Sequence, residues 1–427
     1  MYPKDFLWGS STSSHQVEGY CTNNNWSEFE SAVDDSGRPK ILGGQRSGPA
    51  CDQWNRYPAD IRLMKDLGLN AYRFSVEWSK IEPAEGTFDE AVLDHYEAVI
   101  DSLLVNRIVP MVTLHHFTNP IWFERKGGFL HDDAPRMFAR FAEHVVTRLQ
   151  TKVPFWITIN EPSVYAINGY ATGEFPPGRK NYDEAIRVLG NLLRAHSDAY
   201  GSIKSINPAL QVGLAVNIFI FEPYQRWNPL DIAAAYFTHR GLNNATLRFL
   251  TEGVFEATFP GFVSTSFSTG RGGTFDFIGL NYYTRFLIHL NPLSKNPVSH
   301  RTRETSTDQL TDMGWEIYPD GLARALRLIH SFTARPIYIT ENGIADEKDS
   351  KRGAFIRDHI AVIDRAITEG IDVRGYFYWS LLDNFEWAFG YARRFGLYSV
   401  DFTTQKRTLR EGSMTLRDII RARTLER

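Results

Sequence analysis

Short apolar runs alternate with amphipathic helical stretches along the whole chain. Eight runs read as strands: 6–9, 71–75, 108–114, 155–159, 211–216, 275–280, 337–340 and 374–379. Between them, apolar positions recur with helical spacing. Val92, Leu93, Tyr96, Val99, Ile100, Leu103 and Leu104 form one such stripe. Phe138, Phe141, Val145 and Leu149 form a second, and Ile356, Ile360, Ile363 and Ile367 a third. Pro58 and Asp60 read as the first turn of a helix ending near Gly68.

Strand–helix alternation predicts a parallel sheet. Eight units predict a closed α/β fold, a single (β/α)8 TIM barrel spanning residues 1–427. An open, doubly wound sheet would carry a glycine-rich phosphate loop after its first strand, and the segment FLWGSSTSSHQVEG at 6–19 does not supply one. No low-complexity linker or shift in composition marks a second domain. The polar, glycine-rich stretches 21–50, 175–182 and 284–311 read as long loops on the face where such barrels carry their chemistry.

Composition narrows the function classes. The formal net charge is −3 with both signs interspersed, so no nucleic-acid or polyanion partner is expected. No run of 18 apolar residues exists, so no membrane span is expected. The first residues, MYPKDFLWGS, have no basic leader and no long apolar core, and a cytoplasmic location is the expectation. The two cysteines, Cys21 and Cys51, match no metal or redox spacing and read as inert thiols.

In a barrel of this kind the C-terminal strand ends build the active site. His15, Gln16 and Glu18 follow the first strand, and Arg73 sits within the second. His115 and His116 end the third, Asn160 and Glu161 the fourth, Asn281 and Tyr283 the sixth, and Glu341 the seventh. Trp379, Glu386 and Trp387 follow the eighth. Two ends echo each other, ITINEP and ITENG, each placing a glutamate at the barrel lip. Strand interiors disfavour acids, and a buried carboxylate is costly without partners. Strands four and seven lie on roughly opposite sides of an eight-stranded ring, so Glu161 and Glu341 would face one pocket. Glycoside hydrolysis needs such a pair: one acid to protonate the leaving oxygen, one carboxylate to attack or to activate water. Neighbouring residues on a strand point to opposite faces, so His115 and His116 cannot enter one pocket together, and no further ligand set completes a metal site. No cofactor is expected.

The motifs together are similar to those of glycoside hydrolase family 1, the β-glucosidase family. They run in order along nearly the whole chain: FLWGSSTSSHQVEG at 6–19, YRFSVEWSKIEP at 72–83, HHF at 115–117, NEP at 160–162, GLNYY at 279–283, GWEIYPDGL at 314–322, ITENG at 339–343 and YWSLLDNFEWAFGYARRFGL at 378–397. The resemblance implies Glu161 as general acid/base and Glu341 as nucleophile, with retention of the β configuration. It implies Gln16, His116, Asn160, Tyr283, Trp379, Glu386 and Trp387 as the groups that hold the sugar. Bidentate side chains suit adjacent hydroxyls and indoles suit the apolar sugar face. Arg73 and Tyr283 near Glu341 would favour its ionised form, and that charge would keep Glu161 protonated. Trp315 either faces the aglycone subsite or packs within its own loop. The implied partner is a small β-glycoside or oligosaccharide, with the oligomeric state open.

Two departures stand out. Phe117 occupies a position where tryptophan is common in the family, and the chain is somewhat short for it. Within the family, a 6-phosphoglycosidase would carry a phosphate-binding set in place of Glu386-Trp387, and a thioglycosidase would carry glutamine in place of Glu161. A transglycosidase would share the glycosyl-enzyme. Outside it, a sugar-binding protein on an inactive barrel would have lost one of the two glutamates.

Overall fold

The computed structural model describes residues 2–260, 263–294, 298–302 and 306–425. Strands β1 (Leu7–Ser11), β2 (Ala71–Ser75), β3 (Val109–His115), β4 (Phe155–Asn160), β5 (Gln211–Asn217), β6 (Phe277–Asn281), β7 (Ile337–Asn342) and β8 (Val373–Trp379) form a closed barrel, β1 pairing with both β2 and β8. Every pairing is parallel. A helix follows each strand: α1 (Gln53–Asp66), α2 (Glu90–Val105), α3 (Ala134–Leu149), α4 (Tyr182–Ile206), α5 (Ala245–Glu252), α6 (Pro319–Phe332), α7 (Arg352–Thr368) and α8 (Met414–Leu425). This is the (β/α)8 barrel that the strand–helix alternation predicts.

An apolar cluster inside the barrel draws a buried side chain from each strand, Leu7, Ala71, Met111, Ile157, Ala215, Phe277, Tyr338 and Phe377, with Val109 and Phe155 packed against it. Large rings need small neighbours in so narrow a space. At Gly213 a Cβ would lie 2.6 Å from Phe277, and at Gly9 it would lie 2.3 Å from Phe377. Outside the strands, the predicted stripes face inward. Phe138, Phe141, Val145 and Leu149 of α3 are fully buried, as are Leu93, Ile100 and Leu103 of α2. The α2 stripe is narrower than its sequence pattern, because Leu104 turns to solvent.

Three expectations change. Helix α1 begins at Gln53, so Pro58 lies inside it. A proline there removes one backbone hydrogen bond. Asp60 is not a first-turn acid but a buried partner of Arg407, Oδ1 to Nε at 3.0 Å. The stretch 284–311 is not all loop. Its segments Arg285–Leu290 and Val298–Arg301 join Ile220–Pro223 in a three-stranded sheet, while 295–297 and 303–305 lie outside the described residues. The stretch 21–50 holds a short helix, Asn25–Phe29, capped by the Asn24 side chain on the Ser27 amide. No helix among the described residues is long and apolar enough to cross a membrane. Cys21 and Cys51 are free and buried, and burial pushes both thiol pKa values up, away from reactive thiolate.

Candidate active site

At the C-terminal ends of the strands the apolar pattern stops and polar groups converge. Glu341, near the end of β7, is 3% exposed and Glu161, the residue after β4, is 6% exposed. Their partners differ in kind. Arg73 Nη1 donates to Glu341 Oε1 at 2.6 Å, and the Tyr283 hydroxyl donates to Oε2 at 2.7 Å. Glu161 Oε1 accepts only amides, from Asn217 Nδ2 at 2.9 Å and Asn281 Nδ2 at 2.8 Å. Asn281 Nδ2 also donates to Asn160 Oδ1 at 3.1 Å, which ties the Glu161 carboxyl to the side chain beside it on β4.

Burial pushes Glu341 up from the ordinary carboxylate range, and the Arg73 guanidinium and the Tyr283 hydroxyl pull it back. Burial and then the Glu341 charge push Glu161 up to about 8 against its two amides. Glu341 has a cation and Glu161 has none, so at neutral pH the charge sits on Glu341 and the proton on Glu161. The direction matches the sequence argument. The larger cause for Glu161 is burial, which spacing alone does not reveal.

Arg73 braces the site from β2. Its Nη2 donates to Asn160 Oδ1 at 2.6 Å, its Nε to Thr113 Oγ1 at 3.1 Å, and Nη1 also to the Thr340 carbonyl at 3.2 Å. With Asn160 Oδ1 committed to Arg73, its Nδ2 turns to His116 Nε2 at 3.2 Å. The His116 proton therefore sits on Nδ1, a buried donor with no protein partner. Burial, then the Arg73 charge, lowers the His116 pKa far below its ordinary value, so the ring is neutral. It lies near-parallel to two indoles, 5.8 Å from Trp379 and 6.1 Å from Trp387, each tilted 19°. His115 points the other way, into Phe129, Phe138 and Tyr165, with Nε2 on Asn119 at 2.8 Å.

The loop after β8 closes the far side. Gln16 Nε2 donates to Asn384 Oδ1, the Phe385 carbonyl and Glu386 Oε2 at 3.0, 3.0 and 3.3 Å. Burial and the Glu341 charge push Glu386 up to about 8, against hydrogen bonds from Gln16 and Trp379. Trp315 packs its ring 5.6 Å from Tyr283, in a cluster with Trp379 and Phe395. The three backbones at Phe117, Glu161 and Trp387 are left-handed, with φ of 72°, 43° and 48°. Non-glycine residues hold such conformations only where their surroundings impose them.

Gln16, Arg73, His116, Asn160, Glu161, Asn281, Tyr283, Glu341, Trp379, Glu386 and Trp387 thus come together, while His115 faces away, Glu18 turns to Lys80 and Tyr96, and His15 to Glu30. Sequence reasoning missed Asn217, which ends β5 and holds Glu161, and gave Asn281 no role. The available signal was positional: a polar residue closing an otherwise apolar strand, as at Glu341. A separate cluster, His15, Cys21 and Glu77, brings three ligand-type atoms within 4.8 Å. The Asn24 amide fills it, 3.3 Å from both His15 Nδ1 and Glu77 Oε1.

The family model for glycosyl hydrolase family 1 matches residues 1–425. β-Glucosidase A of Thermotoga maritima is 34% identical over 452 aligned positions, covering 100% of this chain and 99% of that protein. A solved β-glycosidase from Pyrococcus horikoshii matches with TM-score 0.87 at 39% identity, covering 98% of this chain and 95% of that one. A β-glucosidase from T. maritima solved with glucoimidazole matches with TM-score 0.87 at 32% identity, covering 98% of each chain. With a family match over almost every residue, and relatives alike along their full lengths in both sequence and fold, the chain belongs to glycosyl hydrolase family 1 and is an O-glycoside hydrolase.

Proposed function

We propose that the chain removes terminal, non-reducing β-D-glucosyl residues from β-glycosides with retention, through a covalent glycosyl-enzyme, and accepts galactosides and fucosides as secondary substrates. Glu341 is the nucleophile and Glu161 the acid/base. The observation that carries this reading is the unequal partnering of the two acids: a guanidinium 2.6 Å from Glu341, and amides alone on Glu161. Direct attack needs carboxyl groups about 5–5.5 Å apart, whereas an inverting enzyme leaves a wider gap for water.

The steps follow from the charges. Glu161 donates its proton to the glycosidic oxygen as the aglycone leaves, while Glu341 bonds the anomeric carbon. Once esterified, Glu341 has lost its charge, and Glu161 is an ordinary carboxylate that takes a proton from water as the water oxygen bonds the anomeric carbon and the bond to Glu341 breaks, restoring its carboxylate. Asn160 Nδ2 and the free Nδ1–H of His116 reach the sugar hydroxyls, and Gln16 with Glu386 grips an adjacent pair. Trp379 and Trp387 cover the apolar ring face, and Trp315 beside Tyr283 borders the aglycone. Glu386, buried and held by Gln16 and Trp379 with no cation on it among the described residues, suits a neutral sugar rather than a 6-phosphate. Glucose as the main sugar rests on relatives named β-glucosidase.

Proton NMR during hydrolysis of 4-nitrophenyl β-D-glucoside tests the stereochemistry. The first-formed sugar is expected to be the β anomer; an α anomer appearing first would remove the covalent intermediate from the scheme.

The pH profile tests the proton assignment. As pH rises past about 8, Glu161 loses the proton that the leaving oxygen needs, so kcat/KM falls. At the acid end Glu341 gains a proton and ceases to be a nucleophile. The two limbs report apparent values of the coupled pair. In Glu341→Gln the neighbouring charge is gone, so the Glu161 value moves down, readable by carbon-13 NMR of the carboxyls. A Glu161 that titrates near an ordinary glutamate value in the unmodified enzyme would contradict the assignment.

A further inference from the structure

A surface pocket of about 340 Å³ is lined by Ile220, Phe221, His239, Arg324, Arg327 and Leu328. It shares no residue with the site around Glu161 and Glu341. Ile220 and Phe221 come from the short strand that leaves the barrel just after Asn217. Arg324, Arg327 and Leu328 lie at i, i+3 and i+4 on α6, one helix face. His239 opens the π-helical turn His239–Asn244.

The lining sorts by chemistry. Ile220, Phe221 and Leu328 give apolar walls. Every polar side chain is a donor. His239 Nδ1 accepts from Asn243 Nδ2 at 3.1 Å, which places the ring proton on Nε2. Arg327 gives Nε and Nη2 to Glu369 at 2.8 and 2.7 Å, leaving Nη1 free of that pair. Arg324 gives Nη1 to Glu222 at 2.5 Å, with Nη2 outside that contact.

The two cations of the lining are each held by one acid, Arg324 by Glu222 at 2.5 Å and Arg327 by Glu369 at 2.7 Å. Glu222 is shared with Arg285 at 3.0 Å and Arg226 at 3.9 Å, so Arg324 does not have that carboxylate to itself. A pocket with apolar walls and a polar side made of donors suits an anion with an apolar body. Its volume lies at the lower end of small-ligand sites, about 300–1,000 Å³.

We propose that this pocket binds a small aryl carboxylate, its carboxylate accepting from Arg324, Arg327 and His239 Nε2 and its ring lying against Phe221, Ile220 and Leu328. This goes beyond glycoside hydrolysis and needs no turnover for its test.

Saturation-transfer NMR and calorimetry on the full chain with 3-phenylpropionate test the site. One equivalent is expected to bind with Kd on the order of 1 mM, as its few heavy atoms allow. The neutral isostere 3-phenylpropanol is expected to bind ~10-fold more weakly, since hydrogen bonds to a charged partner are worth at least that. Saturating 1-deoxynojirimycin, a sugar mimic for the catalytic pocket, leaves the binding unchanged. Arg324→Gln/Arg327→Gln weakens binding ~10-fold. Leu328→Trp fills the pocket and abolishes binding, while aryl-glucoside turnover persists in both variants. No saturable binding of the acid, equal binding of the alcohol, displacement by deoxynojirimycin, or full binding by Leu328→Trp would each overturn the proposal.

Discussion

Glu341→Gly is expected to lose about 10⁴–10⁶-fold in kcat toward an aryl β-glucoside, the scale on which removing a nucleophile acts. The glycine leaves a hollow between the Arg73 guanidinium and the Tyr283 hydroxyl, both of which had faced the carboxylate at 2.6 and 2.7 Å. A small anion fits that hollow and meets the same guanidinium. Added azide should therefore restore part of the rate, attack from the vacated side, and yield the α-glucosyl azide. Glu161→Ala behaves differently. With an activated leaving group it still forms the glycosyl-enzyme, and azide then enters from the opposite face to give the β-glucosyl azide. The two products are distinguished by NMR of the anomeric proton. If Glu161→Ala yields the α-azide and Glu341→Gly yields none, the roles of the two acids are reversed.

Arg352→Met should be the most damaging change away from the pocket, costing about 3–5 kcal/mol in stability. Arg352 is fully buried at the start of α7. Its guanidinium donates to six acceptors: Asp349 Oδ1, the Tyr378 hydroxyl, and the carbonyls of Ile344, Asp346, Arg394 and Phe395. It thereby ties the loop after β7 to β8 and to the loop after β8. Methionine keeps the bulk and strands those acceptors without a donor, the costly case for buried polar groups. Activity should fall with stability, because the Phe395 ring lies 6.2 Å from Tyr283, which bonds Glu341. A melting temperature of Arg352→Met equal to that of the unmodified chain would show that these bonds contribute nothing net. Arg352→Lys, which keeps the charge and part of the donor set, should fall between the two.

The strands were legible because a parallel barrel buries both strand faces, and the runs are apolar on both. Their ends were less so, and for a physical reason. The observed strands extend past the apolar pattern to Ser11, His115, Asn160, Asn217, Asn281 and Asn342. Each added residue is polar, so hydrophobic pattern excludes it, yet the ladder carries Asn160, Asn217 and Asn281 to the two acids, while His115 faces away. Boundary errors thus fell on functional positions. The acids were found because two strand ends repeat a motif. Asn217 repeats none, and its link to Glu161 exists only because β4 and β5 are neighbours in the ring. Pro58 misled for the converse reason: a local start signal was outweighed by the packing of a longer helix.

The left-handed backbones at Phe117, Glu161 and Trp387 bear on how the enzyme could be improved. Each conformation stores strain of order 1–3 kcal/mol, held at Phe117 and Trp387 by an aromatic cluster and at Glu161 by its hydrogen bonds to Asn217 and Asn281. Trp387 packs 5.3 Å from Phe117 and 4.6 Å from Trp26, so the rings brace one another. Glycine or asparagine would relieve that strain, but at Phe117 or Trp387 it would also delete a buried ring, a loss of about 3–5 kcal/mol that outweighs the strain released. At Glu161 it would remove the carboxyl itself. The usual loop substitutions for heat resistance therefore fail at these three positions, and stabilisation belongs on the outer helices.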